Sequence, residues 1–462
     1  MRVRFWGTRG SLATPEPTAL RYGGNTPCVE VRAADGTLLV LDCGTGAYGL
    51  GQALVGAGGE PPRGHLLLTH THWDHIQGFP FFAPLRVPGG EWDVYAPGGP
   101  GQRLRGVLGG QMEYEYFPVD LGQLAAAVRF HDLGEGGFDA GGVRVTACYL
   151  NHPALTLGYR LEAGGAVLVY ATDHEPHGPL ARPGAPPDSG GAAPGKLPLH
   201  HEDRRHVAFL AGADLVVHDA QYALEEYPAR AGWGHSAAEH AVDLARAAGA
   251  RRLALFHHDP LRDDAALDRL VEACRRRAGE GLEVFAAAEG PALELPERAG
   301  EPPPGPAPRS AFLDDAGEAA AEQTVLVVTD EPGLARRLGL FLRPEGLRLL
   351  TAGGPGSPGG PASGAPVLGL ARAARPDLVV LDARADRRAA LDLCRALRAE
   401  EAAALRRAPV VVLVAPRPPE HEAAAVLAAG ATDFLPEPVT PALVRAAVRR
   451  WLLRAGAALP PP

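Results

Sequence analysis

Short apolar runs, each broken by a glycine, proline or acidic turn, recur along this chain and predict buried strands. They fall at residues 2–6, 28–32, 37–41, 66–68, 143–149, 214–217, 252–256 and 283–287, with a hairpin over 156–161 and 166–170. Between them, apolar positions at helical spacing predict helices over 202–211, 236–248 and 261–277. Ser236 and Glu239 stand at capping-box spacing before the second of these. Residues 76–142 read as Pro/Gly-rich loops carrying Tyr114, Tyr116 and Phe117, a wall over whatever the strand ends hold. Residues 181–200 read as a flexible surface excursion.

A second pattern begins beyond residues 297–323, where Pro302-Pro303-Pro304-Gly305-Pro306 is stiff and the acidic remainder is solvated. Five strand–helix repeats follow, with strands near 324–329, 347–350, 378–381, 409–414 and 432–435 and a last helix over 441–454. The reading is therefore α/β in both halves: a domain over 1–296, a linker over 297–323 and a (βα)5 doubly wound domain over 324–455. Length agrees, since 462 residues exceed what one core accommodates.

Composition narrows the setting. No apolar segment is long enough to span a bilayer, and residues 1–7 lack the apolar core of a leader, so a cytoplasmic protein with no membrane partner is expected. Cys28, Cys43, Cys148, Cys274 and Cys394 show no paired spacing and read as buried small hydrophobes in a reducing compartment. Residues 324–462 hold 18 arginines against 13 carboxylates, which with the whole-chain charge of −9 leaves −14 for residues 1–323. So acidic a half is a poor grip for a polyanion, and a long nucleic acid is expected to be an unlikely partner.

The chemistry gathers at residues 66–75, where an apolar run ends in Thr69-His70-Thr71-His72-Trp73-Asp74-His75. His70 and His72 can point one way off an extended backbone, while Asp74 and His75 lie on the next turn. Two nearby points with nitrogen and oxygen donors suit two borderline cations such as Zn²⁺, with Mn or Fe as alternatives. Asp42, at another strand end, is placed either to fix a ligand histidine's tautomer or to cap the next helix. The motif resembles the signature of the metallo-β-lactamase superfamily of binuclear hydrolases. That resemblance implies an αββα sandwich with its metals at the sheet edge. It implies further that His70, His72 and His152 hold one ion, that Asp74, His75 and His257 (rather than His258) hold the other, and that Asp173 bridges. A cysteine is usual at the Asp173 position in the antibiotic-hydrolysing enzymes, so aspartate favours the phosphodiesterase, tRNase Z and glyoxalase branches.

Asp219 and His235 resemble the proton-transferring pair of tRNase Z and related phosphodiesterases. With Asp74 they are the expected catalytic groups, a metal-bridging hydroxide attacking phosphorus and His235 protonating the departing alkoxide. Arg9 and Asn25, on the opening loops, are weaker candidates for holding a phosphate. A small or cyclic phosphodiester is the expected substrate. The alternatives are a tRNase Z-like ribonuclease, a glyoxalase-type thioesterase, or a signalling scaffold with a vestigial metal site. The tRNase Z reading implies a long substrate-gripping arm, and residues 152–173 leave room only for a hairpin.

The C-terminal repeats resemble a response-regulator receiver domain. Asp382 stands at the phosphoacceptor position and Asp330-Glu331 supply part of an acidic pocket, Thr329 having replaced one carboxylate. Val414 stands where the phosphate-following hydroxyl belongs and Glu437 where a lysine belongs. The resemblance thus implies a degenerate receiver that serves for docking or dimerisation instead of phosphorylation.

Overall fold

In the first half of the chain, strand composition decides the layering. The computed structural model describes residues 1–98, 103–177, 201–296, 311, 323–342, 347–353, 365–384, 386–404, 410–414, 425–426, 428–436, 444–445, 447–449 and 451–452. Contacts divide the chain into two units, Met1–Asp314 and Asp315–Pro462.

In the first unit the strands are β1 (Arg2–Gly7), β2 (Cys28–Arg32), β3 (Leu38–Leu41), β4 (Arg63–Leu67), β5 (Glu91–Pro97), β6 (Ala127–Leu133), β7 (Gly136–Ala140), β8 (Val143–Tyr149), β9 (Leu157–Ala163), β10 (Ala166–Ala171), β11 (Leu215–Asp219), β12 (Arg252–Phe256), β13 (Glu283–Ala286) and β14 (Ala292–Glu294). The helices are α1 (Gly46–Gly56), α2 (Trp73–Ile76), α3 (Leu104–Gly110), α4 (His201–Leu210), α5 (Ala238–Ala247) and α6 (Asp264–Ala278). One sheet runs β14-β1-β2-β3-β4-β5-β6 and the other β13-β12-β11-β10-β9-β8-β7.

The runs that read as continuously apolar, such as Ala166–Ala171 and Leu38–Leu41, are buried on both faces. Their inner faces meet each other: Phe5 packs on Phe256 at 6.0 Å between centroids, and the Tyr159 hydroxyl donates to the Leu68 carbonyl at 2.7 Å. Their outer faces meet helices. Leu66, Trp92 and Val94 pack with Leu50, Leu104 and Leu108, and Val169 and Val216 pack with Leu210, Val242 and Leu270. The result is the αββα sandwich of the metallo-β-lactamase fold.

Three readings need correction. Residues 76–142 are not merely loops, for they contain β5, α3, β6 and β7. Their strand character is hidden because β6 buries only its last residue, Leu133, and β7 begins with two glycines. Ser236 is no helix cap: α5 starts after Ala237, the Ser236 hydroxyl donates to the His174 carbonyl at 2.6 Å, and Glu239 accepts from the Leu224 N–H. The helix expected from residue 261 begins at Asp264, capped by Asp263 on the Ala266 N–H. Residues 181–200 lie outside the described residues, as does the linker apart from Ala311 and Gln323.

The second unit has β15 (Thr324–Val328), β16 (Arg348–Ala352), β17 (Leu378–Asp382), β18 (Val410–Val414) and β19 (Asp433–Pro436), with α7 (Pro332–Leu342), α8 (Ala365–Ala374) and α9 (Arg387–Ala404). All its strand pairs are parallel, in the order β16-β15-β17-β18-β19. That is the doubly wound order with its switch point between β15 and β17. Among the described residues no helix is long and apolar enough to cross a membrane.

Candidate metal centre

Every donor expected from the sequence leaves the carboxyl end of a strand, where open α/β sheets place their ligands. After β4 the chain delivers His70, then His72 in extended conformation before α2, which carries Asp74 and His75. His152 follows β8, Asp173 follows β10 and His257 follows β12.

These side chains converge into two groups. The Nε2 of His152 lies 3.1 Å from Nδ1 of His72, and the Oδ2 of Asp173 lies 3.6 Å from Nε2 of both His70 and His152. The other Asp173 oxygen, Oδ1, lies 3.2 Å from His75 Nε2 and 3.3 Å from His257 Nε2. Asp74 Oδ2 is 3.2 Å from the same two nitrogens. One carboxylate thus offers an oxygen to each group.

The far nitrogen of four of these rings is held by a neighbour that fixes the tautomer. His75 donates from Nδ1 to Asp42 at 2.8 Å, and Asp42 also accepts from the Thr69 N–H and hydroxyl and from the Tyr170 hydroxyl. His152 donates from Nδ1 to the Gly234 carbonyl at 2.8 Å and His257 to Gln221 Oε1 at 3.2 Å. His70 faces the Thr69 hydroxyl oxygen at 3.1 Å, and that hydroxyl in turn donates to Asp42. His258 instead turns to the Ala287 carbonyl.

This arrangement fits divalent cations. Its donors are imidazoles and carboxylates, the set that Zn²⁺ and its neighbours accept. With Nδ1 of both rings donating elsewhere, His75 and His257 present lone pairs to each other at 3.3 Å, and the buried Nε2 of His70 has no hydrogen-bond partner among the described residues. Electrostatics agree. Burial alone would lower His75, yet Asp173, Asp74 and Asp42 raise it well above its ordinary range, so the point calls for positive charge. Where no carboxylate is so close, burial wins, and His152 is pushed down to about 3.

Asp42, Asp173 and His257 all have positive φ, at 58°, 56° and 61°. Ser11, at 61°, donates its N–H to Asp74 Oδ2 at 2.8 Å. Left-handed backbone at non-glycine residues costs about 1–3 kcal/mol each and gathers where geometry serves function.

Beside the two groups stands a dyad. His235 Nδ1 donates to Asp219 Oδ2 at 2.7 Å, and the His235 ring stacks on His257 at 4.9 Å and meets His152 edge-on at 5.2 Å. Asp219 is fixed by N–H bonds from Asp173, Ser236 and Gln221. Burial opposes a charge on His235, but Asp219 prevails and raises it to about 9.

Two supporting residues are invisible in sequence. The buried Glu175 accepts from the Tyr227 hydroxyl and from the N–H groups of Gly232 and Gly234, pinning the loop that leads to His235. Gln221 orients His257. The only sequence signal was their position just past strand ends already holding Asp173 and Asp219.

Arg9 and Asn25 require correction. Arg9 is fully buried and donates to the carbonyls of Gly23, Asp259 and Arg262, while Asn25 bonds Glu289. Arg9 ties the opening loop to the turn after β12 and Asn25 ties it to the turn after β13, so the polar groups of both are engaged within the fold. In the second unit Asp382 accepts from the Thr329 hydroxyl at 2.7 Å and from two nitrogens of Arg384 at 2.8 Å. Arg384 also reaches Glu331 at 2.7 Å. Glu437 lies outside the described residues.

The fold is of the metallo-β-lactamase type, and its strand ends carry a donor set that suits divalent ions. Residues 37–183 match the family described as "Beta-lactamase superfamily domain". The chain is similar to ribonuclease Z of Haloarcula marismortui, 28% identical over 318 residues that cover 60% of this chain and 91% of that one. It is also similar to ribonuclease BN of Cronobacter sakazakii, 26% identical over 321 residues, 63% and 97% of the two chains. Among solved structures, human tRNase Z, short form, aligns with TM-score 0.42 and 20% identity over 64% of this chain and all of that one.

These relatives overturn the expectation that a long nucleic acid is an unlikely partner, since proteins aligned over nearly their whole length are named ribonucleases. The physical fault lay in reading a net charge. Binding answers to the local field at a site, which a summed charge does not describe.

Proposed function

We propose that this protein is a phosphodiesterase that cleaves RNA at a binuclear metal centre. His70, His72 and His152 would hold one divalent ion, Asp74, His75 and His257 the other, and Asp173 both, with zinc the natural occupant. When bound, the ions supply Lewis acidity and lower the pKa of water toward neutrality. The chain's own residues do the rest. Asp42, Thr69, Gln221 and the Gly234 carbonyl hold the ligand rings in one tautomer. Asp219 keeps His235 protonated, and the Nε2–H of His235 is the proton available to the departing oxygen.

The observation that carries this reading is the His235–Asp219 dyad at 2.7 Å against the ligand rings. A ribose alkoxide is a poor leaving group and needs a proton, whereas a thiolate does not, which sets the thioesterase alternative behind. RNA is preferred as the diester because the similar proteins are named ribonucleases. One feature favours a small diester as a second reading: β9 and β10 are joined by Gly164 and Gly165 alone, so no substrate-gripping arm grows there.

The test is a panel of an RNA with a 3′ extension, a cyclic nucleotide, a bis-aryl phosphate and a glutathione thioester. RNA should be cleaved, and His235→Ala should slow it by about 10²–10⁴-fold while sparing the aryl diester, whose leaving group departs unaided. Turnover of the thioester alone, or equal losses on RNA and aryl diester, would sink the proposal. For the second unit we infer that Asp382 is not a phosphoacceptor, because the Arg384 guanidinium already neutralises it.

A further inference from the structure

A second cluster of imidazoles lies on the other side of the same strand ends. His174 follows Asp173 and His218 precedes Asp219, yet both turn away from the metal centre. His218 shares a face of β11 with Val216, part of the apolar layer under α4 and α5, and His206 comes from α4. All three are buried where that layer is otherwise apolar. One nitrogen from each lies within 4.8 Å of the others. The Nε2 atoms of His206 and His218 are 3.0 Å apart, and the His174 ring stacks on His206 at 3.9 Å between centroids. His218 donates from Nδ1 to the Asp219 carbonyl at 2.8 Å, so its Nε2 presents a lone pair.

We propose that His174, His206 and His218 form a further metal site, distinct from the catalytic centre, that takes a borderline divalent ion such as Zn²⁺ in a structural role. Three neutral imidazoles are a sufficient donor set for such an ion. A plain hydrogen bond would explain His206 and His218, but not His174, whose fully buried Nε2 has no hydrogen-bond partner among the described residues. Ligation through that atom gives up the bond from the Asn151 N–H to His174 Nδ1, since the ring must then carry its proton there. At 3.2 Å that bond is at the long end of the normal range. His177 and Asp203 adjoin, forming a second donor group that shares His174. An ion here would fasten the residue after Asp173 and the residue before Asp219 to α4, and so brace both catalytic strand ends from behind.

The test is metal content per chain after zinc loading and gel filtration, on the full-length protein. His206→Phe and His218→Phe, which keep ring volume in an apolar layer, should each lose one ion relative to wild type, however many the catalytic centre holds. The His70→Ala/His72→Ala/Asp173→Ala/His257→Ala quadruple variant, which loses donors from both catalytic groups, should retain the ion that His206→Phe loses. Counting differences keeps a failure of this site separate from a failure of the proposed hydrolysis. Should the phenylalanine variants not fold, Co²⁺ added to the quadruple variant should give the visible bands of a nitrogen-ligated tetrahedral ion. Unchanged ion counts in both phenylalanine variants, no such bands, or an ion retained by His174→Leu would overturn the three-histidine site.

Discussion

At the scale of single residues, what matters is which charge each neighbour makes affordable. His235 lies in a buried place that would ordinarily strip its proton, and Asp219 reverses this, raising it to about 9. The sign follows from linkage: a histidine raised on folding stabilises the fold fully below its unfolded value, and that contribution is lost as pH rises through about 9. Melting temperatures of chelated wild type and His235→Ala should therefore converge as pH goes from about 6 to about 10. A gap that stays constant over that span would mean the dyad is not ion-paired. Cations in the neighbouring ligand groups act in the opposite sense, so the metal-loaded protein should show the convergence at lower pH.

At the scale of elements, the loop between β11 and α5 does more than carry His235. Gly234 has φ of 91°, its carbonyl orients His152, and a Cβ there would come within 2.3 Å of the His152 ring and 2.2 Å of Pro153. Gly234→Ala should cost about 1–3 kcal/mol of stability and displace His152, read as a lower melting temperature together with weaker zinc retention. Loss of neither would show that the loop adapts freely. The same loop marks where sequence reading stops. Of the strands that bear ligands, β10 and β12 were legible because burial on both faces leaves apolar runs and β8 because it alternates buried with more exposed positions, and the donors on residues 70–75 were legible because they are local. Glu175, Gln221 and the Gly234 carbonyl act across 59, 36 and 82 positions of chain. Nothing in their immediate neighbours announces that. Arg9 misled for the converse reason: a cation on a glycine-rich turn looks like a phosphate grip until its carbonyl partners are seen.

At the scale of the whole molecule, two α/β units carry different fates for the same kind of acidic strand end. In the first, the carboxylates leave room for cations; in the second, Arg384 is the cation, clasping Asp382 and Glu331. Beryllofluoride with Mg²⁺ should therefore leave the chain's melting temperature unchanged, and Arg384→Ala should restore a Mg²⁺-dependent shift. A shift in wild type would reveal a working acceptor. The left-handed residues also bear on the molecule's stability. Glycine at Asp42 or Asp173 would relax the backbone by about 1 kcal/mol or more and remove a buried negative charge. Burial would raise the Asp173 carboxyl, but His257, His75 and His70 hold it well below the usual carboxylate range, so its charge stabilises the fold; in chelator, Asp173→Gly should melt lower than wild type while being inert, and a higher melting temperature would show that backbone strain prevails. Strain and charge thus pull these positions in opposite directions, and what keeps an aspartate in a left-handed turn here is the company of imidazoles around it.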